Sequence, residues 1–474
     1  MLDLLHSKNS YTKCLQDADN SYSFSDINAL ALSFSEYLLP RVVALILTDN
    51  SVGSVLSYYS CLRFGCVPLL LPRETDPSII FLYLELYKIQ LILCPDQYSS
   101  LFSTYSLSFS SLGYSILIGE IRASIKVHSQ LALLLTTSGS TGNPKLVKLS
   151  YSNLKANALA IIQYLNITHN SKHITTLPMS YTYGLSCINT HLLSGGSIVL
   201  NRFSVVERGF WESVYKFEPN TLSGVPYSYE LLYRFPDHKL IDSAFNVFTQ
   251  AGGKLSNKLT LHYAHLCNQS NKKFYVMYGQ TEATARMSYL PPDKLISKIG
   301  SIGIPIPGGR FQIKPNNSDL SINSSDYVTG ELVYYGDNVF MGYANCSSDL
   351  SSESLLHRQL DTGDIAYCDQ DGYYFIAGRL NRFTKLFGKR ISLNDLESHL
   401  RESNINCAIV SDDINIIIFI EESSCLSFDE SVSIAKSIFL ESINLNPRFS
   451  RFVEIDKIPR SSSGKIQYSS LPKL

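Results

Sequence analysis

Short apolar runs alternate with amphipathic segments over the first 200 residues, and this alternation constrains the fold more than any other feature. A short continuous apolar run is typical of a strand that is buried on both faces of a parallel sheet. Between such runs, residues 25–39 carry apolar side chains at helical spacing, with Ser25 or Asp26 as the expected N-cap. The pattern predicts an α/β domain in which helices cover a mostly parallel sheet. The runs expected to form its strands are residues 42–47, 66–71, 89–94 and 131–135.

The composition and the apolar periodicity of the sequence change near residue 300. Residues 300–314 and 330–345 are rich in glycine, proline and aromatic residues with a period of two, which is typical of antiparallel strands joined by tight turns. Further on, residues 407–423 read as a hairpin and residues 427–443 as an amphipathic helix. We therefore predict a large N-terminal domain over residues 1–377, with a small β unit at about 300–377. A hinge at 378–381 leads to a small, mobile α+β C-terminal domain over 382–474.

Charge and composition exclude several classes of protein. The 474 residues carry 40 basic and 41 acidic side chains, a net charge of −1 that argues against a nucleic-acid-binding surface. The ten cysteines contain no CxxC pair, which favours reduced thiols over a zinc or redox site. The N-terminus lacks the pattern of a secretory leader, and the apolar runs are too short to cross a bilayer. We expect a cytoplasmic protein with no membrane insertion.

The segment "LLLTTSGSTGNPKLVKL", residues 133–149, follows the last of these runs with a series of hydroxyl-bearing residues and glycines. Gly139 and Gly142 let the backbone approach a ligand without a Cβ in the way. Backbone N–H groups, hydroxyls and the Lys145 ammonium together favour a site for an anion. The segment does not match the Walker pattern, so an ordinary P-loop nucleotidase is disfavoured. An ordinary surface loop is the alternative interpretation.

The segment "TTSGSTGNPKLVKLS" resembles the signature loop of the adenylate-forming superfamily, which includes acyl and aryl CoA ligases, adenylation domains and luciferases. Five more stretches resemble motifs of this family and follow in the family's order, so that the resemblance spans essentially the whole chain. These stretches are "AGGKL" (251–255), "YGQTEAT" (278–284), "GELVYYGDNVFMGY" (330–343), "DTGDIAYCDQDGYYFIAGR" (361–379) and "PRSSSGKI" (459–466).

The resemblance implies an enzyme that activates a carboxylic acid with ATP and Mg²⁺ and then transfers the acyl group to a pantetheine thiol. It implies that Glu282 binds Mg²⁺ and Thr281 touches the α-phosphate, while Lys465 assists the adenylation step. Asp364 and Arg379 are expected at the ribose. The remaining nucleotide-binding residues implied by the motifs are Thr137, Ser138, Gly139, Ser140, Thr141, Gly142, Lys145, Gly252, Gly253, Tyr278, Gly279 and Gln280.

The resemblance also implies that the C-terminal domain swings between the two half-reactions. Asn381 stands where the family usually carries Asp or Lys as the hinge residue; it lacks the charge but tolerates unusual backbone angles. Gly388 is expected to line the channel by which the thiol reaches the acyl adenylate. The segment "LNDLE" (393–397) and Tyr468 are two further departures from the family's pattern, and neither removes a residue assigned to chemistry.

The expected acid lacks an α-amino group. Amino-acid-activating relatives carry a Phe-Asp pair whose carboxylate holds the substrate ammonium, whereas this chain has Tyr181 and Thr182 there, and an unpaired buried ammonium would be costly. Arg286, soon after Glu282, is a candidate to meet a second carboxylate on a diacid, but an arginine beside a phosphate site has other uses as well. The residues expected to form the wall of the acid pocket are Tyr181, Thr182, Tyr183, Gly184, Val225 and Gly252.

The acceptor of the acyl group is left open between two molecules that present the same thiol. No carrier domain follows Lys465, so we expect free CoA or the phosphopantetheine of a separate acyl carrier protein. The alternative hypotheses are a stand-alone amino-acid adenylation enzyme that loads a carrier protein, and a catalytically silent nucleotide-binding scaffold. A luciferase-like oxidation is a remote further alternative.

Overall fold

The computed structural model describes most of the chain. The described residues are 11–120, 125–136, 145–315, 328–353, 358–386, 389–411, 415–422, 426–443, 450–461 and 464–472. The helices in this part are α1 (Phe24–Phe34), α2 (Val52–Arg63), α3 (Pro77–Leu86), α4 (Tyr151–Leu165), α5 (Thr182–Leu193), α6 (Arg208–Phe217), α7 (Pro226–Leu232), α8 (His238–Ile241), α9 (Asn257–Gln269), α10 (Leu393–Glu402) and α11 (Phe428–Ile443).

The strands of the described part form five sheets. In chain order they are β1 (Lys13–Gln16), β2 (Ser21–Ser23), β3 (Val43–Thr48), β4 (Val67–Pro72), β5 (Leu91–Pro95), β6 (Ser106–Ser111), β7 (Tyr114–Ile118), β8 (Leu131–Thr136), β9 (Leu146–Ser150), β10 (Lys172–Ile174), β11 (Ser197–Val199), β12 (Thr221–Gly224), β13 (Val247–Gln250), β14 (Lys273–Tyr278), β15 (Ser288–Leu290), β16 (Ile304–Pro305), β17 (Arg310–Pro315), β18 (Thr329–Tyr335), β19 (Tyr343–Ala344), β20 (Gln359–Cys368), β21 (Tyr374–Arg379), β22 (Phe383–Leu386), β23 (Lys389–Ser392), β24 (Cys407–Ser411), β25 (Ile416–Glu421) and β26 (Ser450–Ile455).

The four predicted apolar runs form the centre of the first large sheet. Its strand order is β19-β9-β8-β4-β3-β5-β7-β6, and the neighbours among β8, β4, β3 and β5 are parallel. Nearly every side chain of these four strands is buried, as expected of strands covered on both faces. The prediction of a parallel α/β sheet from these runs is confirmed.

A second large sheet carries most of the candidate site. Its order is β16-β15-β14-β13-β12-β10-β11-β1-β2, with parallel pairing from β1 through β11, β10, β12 and β13 to β14. Because β12, β13 and β14 are adjacent and parallel, their carboxyl ends meet at one edge, where ligands of open α/β sheets bind. Val225, Ala251 and Gly279 each follow directly on one of these three strands.

The predicted start and end of the first helix are wrong. The N-cap of α1 is Ser23, whose hydroxyl accepts a hydrogen bond from the Asp26 N–H (3.1 Å). The Asp26 carboxylate accepts one from the Ser23 N–H (2.8 Å), so Asp26 completes a capping box rather than being the cap. The helix ends at Phe34 instead of residue 39, with Ser35 as its C-cap.

Two smaller units follow the large sheets. The predicted β unit is an antiparallel four-stranded sheet in the order β17-β18-β20-β21. In the C-terminal part, the predicted hairpin is β24 and β25, the predicted helix is α11, and β26 lies parallel to β25. A large α/β part followed by a small α+β part is the predicted architecture. The exact boundaries at residues 377–382 stay a prediction.

Two further expectations concern cysteines and membranes. The nine cysteines in the described part of the chain are all free thiols, as predicted. None of the helices within the described residues combines the length and the apolar character that a bilayer-spanning segment needs. The cytoplasmic location stays a prediction.

Candidate active site

A buried carboxylate, Asp364, organises the predicted ribose end of the site. The side chain lies on β20 opposite Arg379 of β21, and the residue is 1 % exposed. The Arg379 Nε donates to Asp364 Oδ1 (2.6 Å), and the Gln280 Nε2 donates to Oδ2 (3.1 Å). The Tyr278 hydroxyl also donates to Oδ2. Three donors from two segments of the chain therefore converge on one carboxylate.

This network has electrostatic consequences for the two titratable partners of Asp364, Arg379 and Tyr278. The carboxylate raises the pKa of the Arg379 guanidinium, which stays charged. Burial, reinforced by Asp364, raises the pKa of the Tyr278 phenol well above its usual value, so the phenol remains a donor. The Arg379 side chain is 52 % exposed, so among the partners of Asp364 it is the one that ribose hydroxyls could displace. The ribose role of Asp364 stays a prediction.

The predicted magnesium ligand is held by a tyrosine to which the sequence analysis gave no role. Glu282 lies in the 3₁₀ turn Thr281–Ala283 after β14, and its Oε1 accepts a hydrogen bond from the Tyr343 hydroxyl (2.7 Å). The Lys145 Nζ lies 4.1 Å from the centre of the Tyr343 ring. Tyr343 thus joins the carboxylate to the lysine that closes the predicted phosphate loop. Its place at the end of the "MGY" motif is the signal that could have identified it.

The donors present suit a magnesium ion that is shared with ATP. Among the described residues there is no group of three or more His, Cys, Asp or Glu that could hold a metal. Mg²⁺ commonly binds proteins through one or two carboxylates plus substrate phosphates, so Glu282 alone fits that pattern. When bound, the ion would neutralise phosphate charge. The predicted phosphate-loop residues Thr137, Ser138, Gly139, Ser140, Thr141 and Gly142 lie outside the described residues.

Two predicted nucleotide-binding glycines occupy positions that exclude a side chain. Gly252 has φ +86°, and a Cβ there would lie 2.5 Å from the Tyr181 hydroxyl oxygen. At Gly279 a Cβ would collide with the carbonyl oxygen of Ala285. Gly253 follows in the same turn, where its carbonyl accepts a hydrogen bond from the Gln250 amide (2.8 Å). The "AGG" and "YG" motifs therefore have a steric reason for their glycines.

Lys465 reaches the same region from the C-terminal part of the chain. Its turn is closed by two hydrogen bonds with Ser461, in which the Lys465 N–H donates to the hydroxyl (3.2 Å) and the Ser461 N–H donates to the Lys465 carbonyl (2.8 Å). The Lys465 Nζ lies 5.2 Å from the centre of the Tyr181 ring. Burial lowers the pKa of this lysine, the nearby Arg379 lowers it further, and Glu282 raises it. Lys465 therefore lies between the nucleotide end and Tyr181.

The lowered pKa of Lys465 predicts an early alkaline limit for the reaction. If the ammonium stabilises charge in the transition state, adenylation falls as pH rises through this pKa, which lies below that of an exposed lysine. Lys465→Arg retains its charge throughout the accessible range and should move the alkaline limit to higher pH. Pyrophosphate release measured from about pH 7 to 10 tests this. If wild type and Lys465→Arg lost activity at the same alkaline pH, a group other than Lys465 would cause the loss.

The expected acid-pocket residues divide into two groups. Tyr181, Tyr183 and Val225 pack in one apolar cluster with Ala251 beside the Gly252 turn, and the Tyr183 hydroxyl donates to the Thr249 carbonyl (2.8 Å). These residues are brought together as expected, together with Gly252.

The structure places Thr182 and Gly184 elsewhere. Thr182 lines a separate cavity of about 10 Å³ with Asn157, Ser186 and Thr284, which is space for one water molecule at most. Gly184 faces the backbone of Pro178, where a Cβ would collide with the carbonyl oxygen. Because successive helical residues point about 100° apart, the N-terminus of α5 cannot direct all four residues 181–184 to one pocket.

Arg286, for which the sequence left the role open, lies against the tyrosines of the predicted acid pocket. Its guanidinium carbon lies 4.7 Å from the centre of the Tyr183 ring, and Nη1 donates to the Tyr164 hydroxyl (3.1 Å). The residue is 2 % exposed.

The predicted hinge follows the last strand of the four-stranded sheet. Asn381 lies in the 3₁₀ turn Leu380–Arg382 after β21, and Gly388 lies outside the described residues. The next residue, Arg382, is anchored to the C-terminal part, where Nη2 pairs with Glu397 Oε1 (2.7 Å) and Nη1 donates to the Ile409 carbonyl (2.8 Å). A rotation of that part would therefore carry Arg382 with it, which favours a hinge before residue 382.

An open cleft of about 650 Å³ lies between the second sheet's loops and the C-terminal part. It reaches Val225 and Gly464, next to Tyr181 and Lys465. Arg202, Lys457 and Arg460 line it together with one acidic residue, Glu207, so its lining carries more positive than negative charge.

Solved structures with known ligands share this architecture. O-succinylbenzoate CoA synthetase from Bacillus subtilis, in complex with its acyl-adenylate intermediate, matches with a TM-score of 0.80 at 20% identity, over 100% of this chain and 98% of that one. ATP-bound MatB from Rhodopseudomonas palustris matches with a TM-score of 0.80 at 19% identity, over 98% of this chain and 96% of that one. The fold is therefore that of the adenylate-forming enzymes, as predicted.

The sequence comparisons lead to the family. The profile of the AMP-binding enzyme family matches residues 7–344, more than half of the chain, and the chain therefore belongs to that family. It is 24% identical over 393 residues to the 2-succinylbenzoate–CoA ligase of Bacillus subtilis, covering 81% of this chain and 78% of that protein. It is 27% identical over 360 residues to the oxalate–CoA ligase of Saccharomyces cerevisiae, covering 72% of this chain and 62% of that protein. The predicted class, an ATP-dependent, AMP-forming acid–thiol ligase, is confirmed.

Proposed function

We propose that this enzyme activates a carboxylic acid without an α-amino group and transfers it to CoA. The acid's carboxylate oxygen attacks the α-phosphorus of ATP, so that an acyl adenylate forms and pyrophosphate leaves. The CoA thiol then attacks the acyl carbon, the carbon–oxygen bond to AMP breaks, and AMP leaves. The proton of the thiol passes to solvent. The products are an acyl-CoA thioester, AMP and pyrophosphate.

The single observation that carries the choice of acid is the composition of the acid end. Tyr181, Tyr183 and Arg286 meet there, and no carboxylate forms an ion pair with Arg286 within the described part of the chain. An α-ammonium lies one carbon from the reacting carboxylate, so it would be enclosed near Tyr181 with positive charge on both sides, at Lys465 and at Arg286, which is strongly unfavourable. An amino acid is therefore a poor substrate for this pocket.

The charges of the site support the adenylation step. Bringing a carboxylate to a polyphosphate requires positive charge at the point of attack, which Lys465 and Arg379 supply. Glu282 supplies an oxygen ligand for Mg²⁺, and Tyr343 holds it in place. Asp364 fixes Arg379, Gln280 and Tyr278 before the nucleotide arrives, which lowers the cost of ordering the site.

The open cleft favours CoA as the acceptor. CoA is a phosphate-bearing anion, and Arg202, Lys457 and Arg460 line a cleft that leads to Val225 beside Tyr181. The named relatives in two organisms are CoA ligases. A separate acyl carrier protein remains the alternative acceptor, because it presents the same thiol on an acidic or neutral protein surface.

Pyrophosphate release across a panel of acids tests the proposal. We expect release with non-amino acids that is accelerated by CoA, accumulates acyl-CoA by mass spectrometry, and is abolished by chelating Mg²⁺. The panel contains matched pairs, such as butyrate against 2-aminobutyrate, and is run without acceptor, with CoA and with a phosphopantetheine-bearing carrier protein. A preference for the amino member of the pairs, or acceleration by the carrier protein alone, would contradict the proposal.

A further inference from the structure

Arg286 is a fully buried cation whose contacts do not balance its charge. It is 2 % exposed, its Nη1 donates to the Tyr164 hydroxyl (3.1 Å), and its Nη2 donates to the Cys187 sulfur (3.5 Å). Its Nε has no hydrogen-bond partner among the described residues. Arginine remains charged in proteins, and a buried charge is stable only when it is paired and hydrogen-bonded. An anion bound next to this guanidinium would therefore supply the counter-charge that the described residues do not.

Four titratable side chains close to Arg286 in the described part of the chain carry no charge at neutral pH. Burial raises the pKa of both neighbouring phenols, Tyr164 and Tyr183, so both are neutral. Burial also lowers the pKa of His173 to about 3 and that of His191 to about 3, so this ring pair is neutral too. The guanidinium thus lies against two neutral phenols, and no carboxylate of the described residues forms an ion pair with it.

Arg286 is linked to Lys465 through two neighbouring tyrosine rings. The Lys465 ammonium lies 5.2 Å from the centre of the Tyr181 ring, and the Tyr181 and Tyr183 ring centres are 6.3 Å apart. The Arg286 guanidinium lies 4.7 Å from the centre of the Tyr183 ring. Two adjacent tyrosines therefore connect the predicted reacting end to the buried cation.

We infer that Arg286 binds a second carboxylate of the substrate, so that the acid is a dicarboxylic acid; this rests on the proposed function. One carboxylate reacts beside Lys465, and the other pairs with the guanidinium through Nε and an Nη group. A planar guanidinium binds a carboxylate through two parallel hydrogen bonds, which gives both orientation and affinity. Lys465 and Arg286 lie against different tyrosine rings whose centres are 6.3 Å apart, so we expect carbon atoms between the two carboxylates.

The rejection of monocarboxylic acids follows from the same burial. An acid of equal length that ends in a methyl group would leave the Arg286 charge unpaired behind a closed pocket. Sites that are built for a polar group discriminate strongly against an analogue that lacks it. We expect the dicarboxylic acid to exceed its methyl-ended counterpart by about a hundredfold or more in kcat/KM.

Steady-state kinetics with paired substrates test the inference. The pairs are succinate with butyrate, glutarate with pentanoate and adipate with hexanoate, assayed by pyrophosphate release with wild type and Arg286→Met. In the variant we expect kcat/KM for the preferred dicarboxylic acid to fall about a hundredfold or more, while its methyl-ended partner is used at least as well as before. Arg208→Met removes a 93 % exposed arginine and should leave the preference unchanged.

A thermal measurement separates ligand binding from a structural role. Removing an unpaired buried charge should leave the melting temperature of the free protein unchanged or raised, and the preferred dicarboxylic acid should raise it in wild type but not in Arg286→Met. A lower melting temperature of the variant together with an unchanged acid preference would overturn the inference. If wild type uses monocarboxylic acids equally well, the inference fails and the proposed function stands. If no acid is turned over but dicarboxylic acids stabilise only wild type, the proposed function fails, and Arg286 is a carboxylate-binding residue of a protein with another activity.

Discussion

Replacing Lys465 with alanine is expected to slow formation of the acyl adenylate by a hundredfold to a thousandfold. This corresponds to about 2.7–4 kcal/mol in the barrier, the cost of losing one preorganised hydrogen-bond donor that stabilises charge in an active site. The ammonium lies over the Tyr181 ring and close to the charges of Arg379 and Glu282, where negative charge from acid and phosphate meets. Because this interaction strengthens as charge develops in the transition state, ATP binding should change far less.

Exchange of labelled pyrophosphate into ATP measures this step without an acceptor. The control is Lys436→Ala, which removes an exposed lysine from α11 in the same C-terminal part. A Lys465→Ala enzyme with wild-type exchange would show that another group carries the charge stabilisation, and the assignment of Lys465 would be wrong.

Replacing Asp364 with asparagine should have the second largest effect, a loss of ATP affinity of about tenfold to a hundredfold or more. Hydrogen bonds to charged groups are worth about 1.5–3 kcal/mol each. An amide presents one oxygen and one NH₂ group, so either Arg379 or the Tyr278–Gln280 pair would face a donor instead of an acceptor. Arg379 would also lose its partner, and the site would no longer be held in position before the nucleotide binds.

Calorimetric titration with ATP measures the loss, and a melting curve of the free protein separates it from unfolding. Asp361→Asn is a matched control from the same strand, since Asp361 pairs with Lys314 at the surface and is 53 % exposed. Exposed pairs of this kind contribute about 0–1 kcal/mol. If Asp364→Asn bound ATP as tightly as Asp361→Asn, the predicted ribose role would have to be abandoned.

The strands of the first sheet were predictable because each one is encoded locally. A continuous apolar run such as β3 is stable as a strand only where both of its faces are shielded from water. This requirement does not depend on the rest of the sequence. The start of α1 was missed by two or three residues because Ser23, Ser25 and Asp26 can all cap a helix. The reciprocal bonds between Ser23 and Asp26 decide the choice, and they depend on how β2 leads into the helix.

The residues of the candidate site could be predicted where they belong to a contiguous motif. The contacts between distant segments could not. The glycines at 252 and 279 follow from local sterics. By contrast, Tyr343 contacts Glu282 although 61 residues separate them, and Asp364 meets Tyr278 across 86 residues. The motifs place these residues in the site, but neither segment shows which side chain bonds to which.

The sequence by itself determined the family, the order of the motifs and the two-part architecture, because these depend on local hydrophobic periodicity and on residues that chemistry requires in a given order. The tertiary structure alone decided which of the neighbouring residues 181–184 share a pocket and what Arg286 faces. Burial and charge balance are properties of everything that packs around a side chain. An arginine therefore becomes an unpaired buried cation only when Tyr164, Tyr183 and Cys187 close around it.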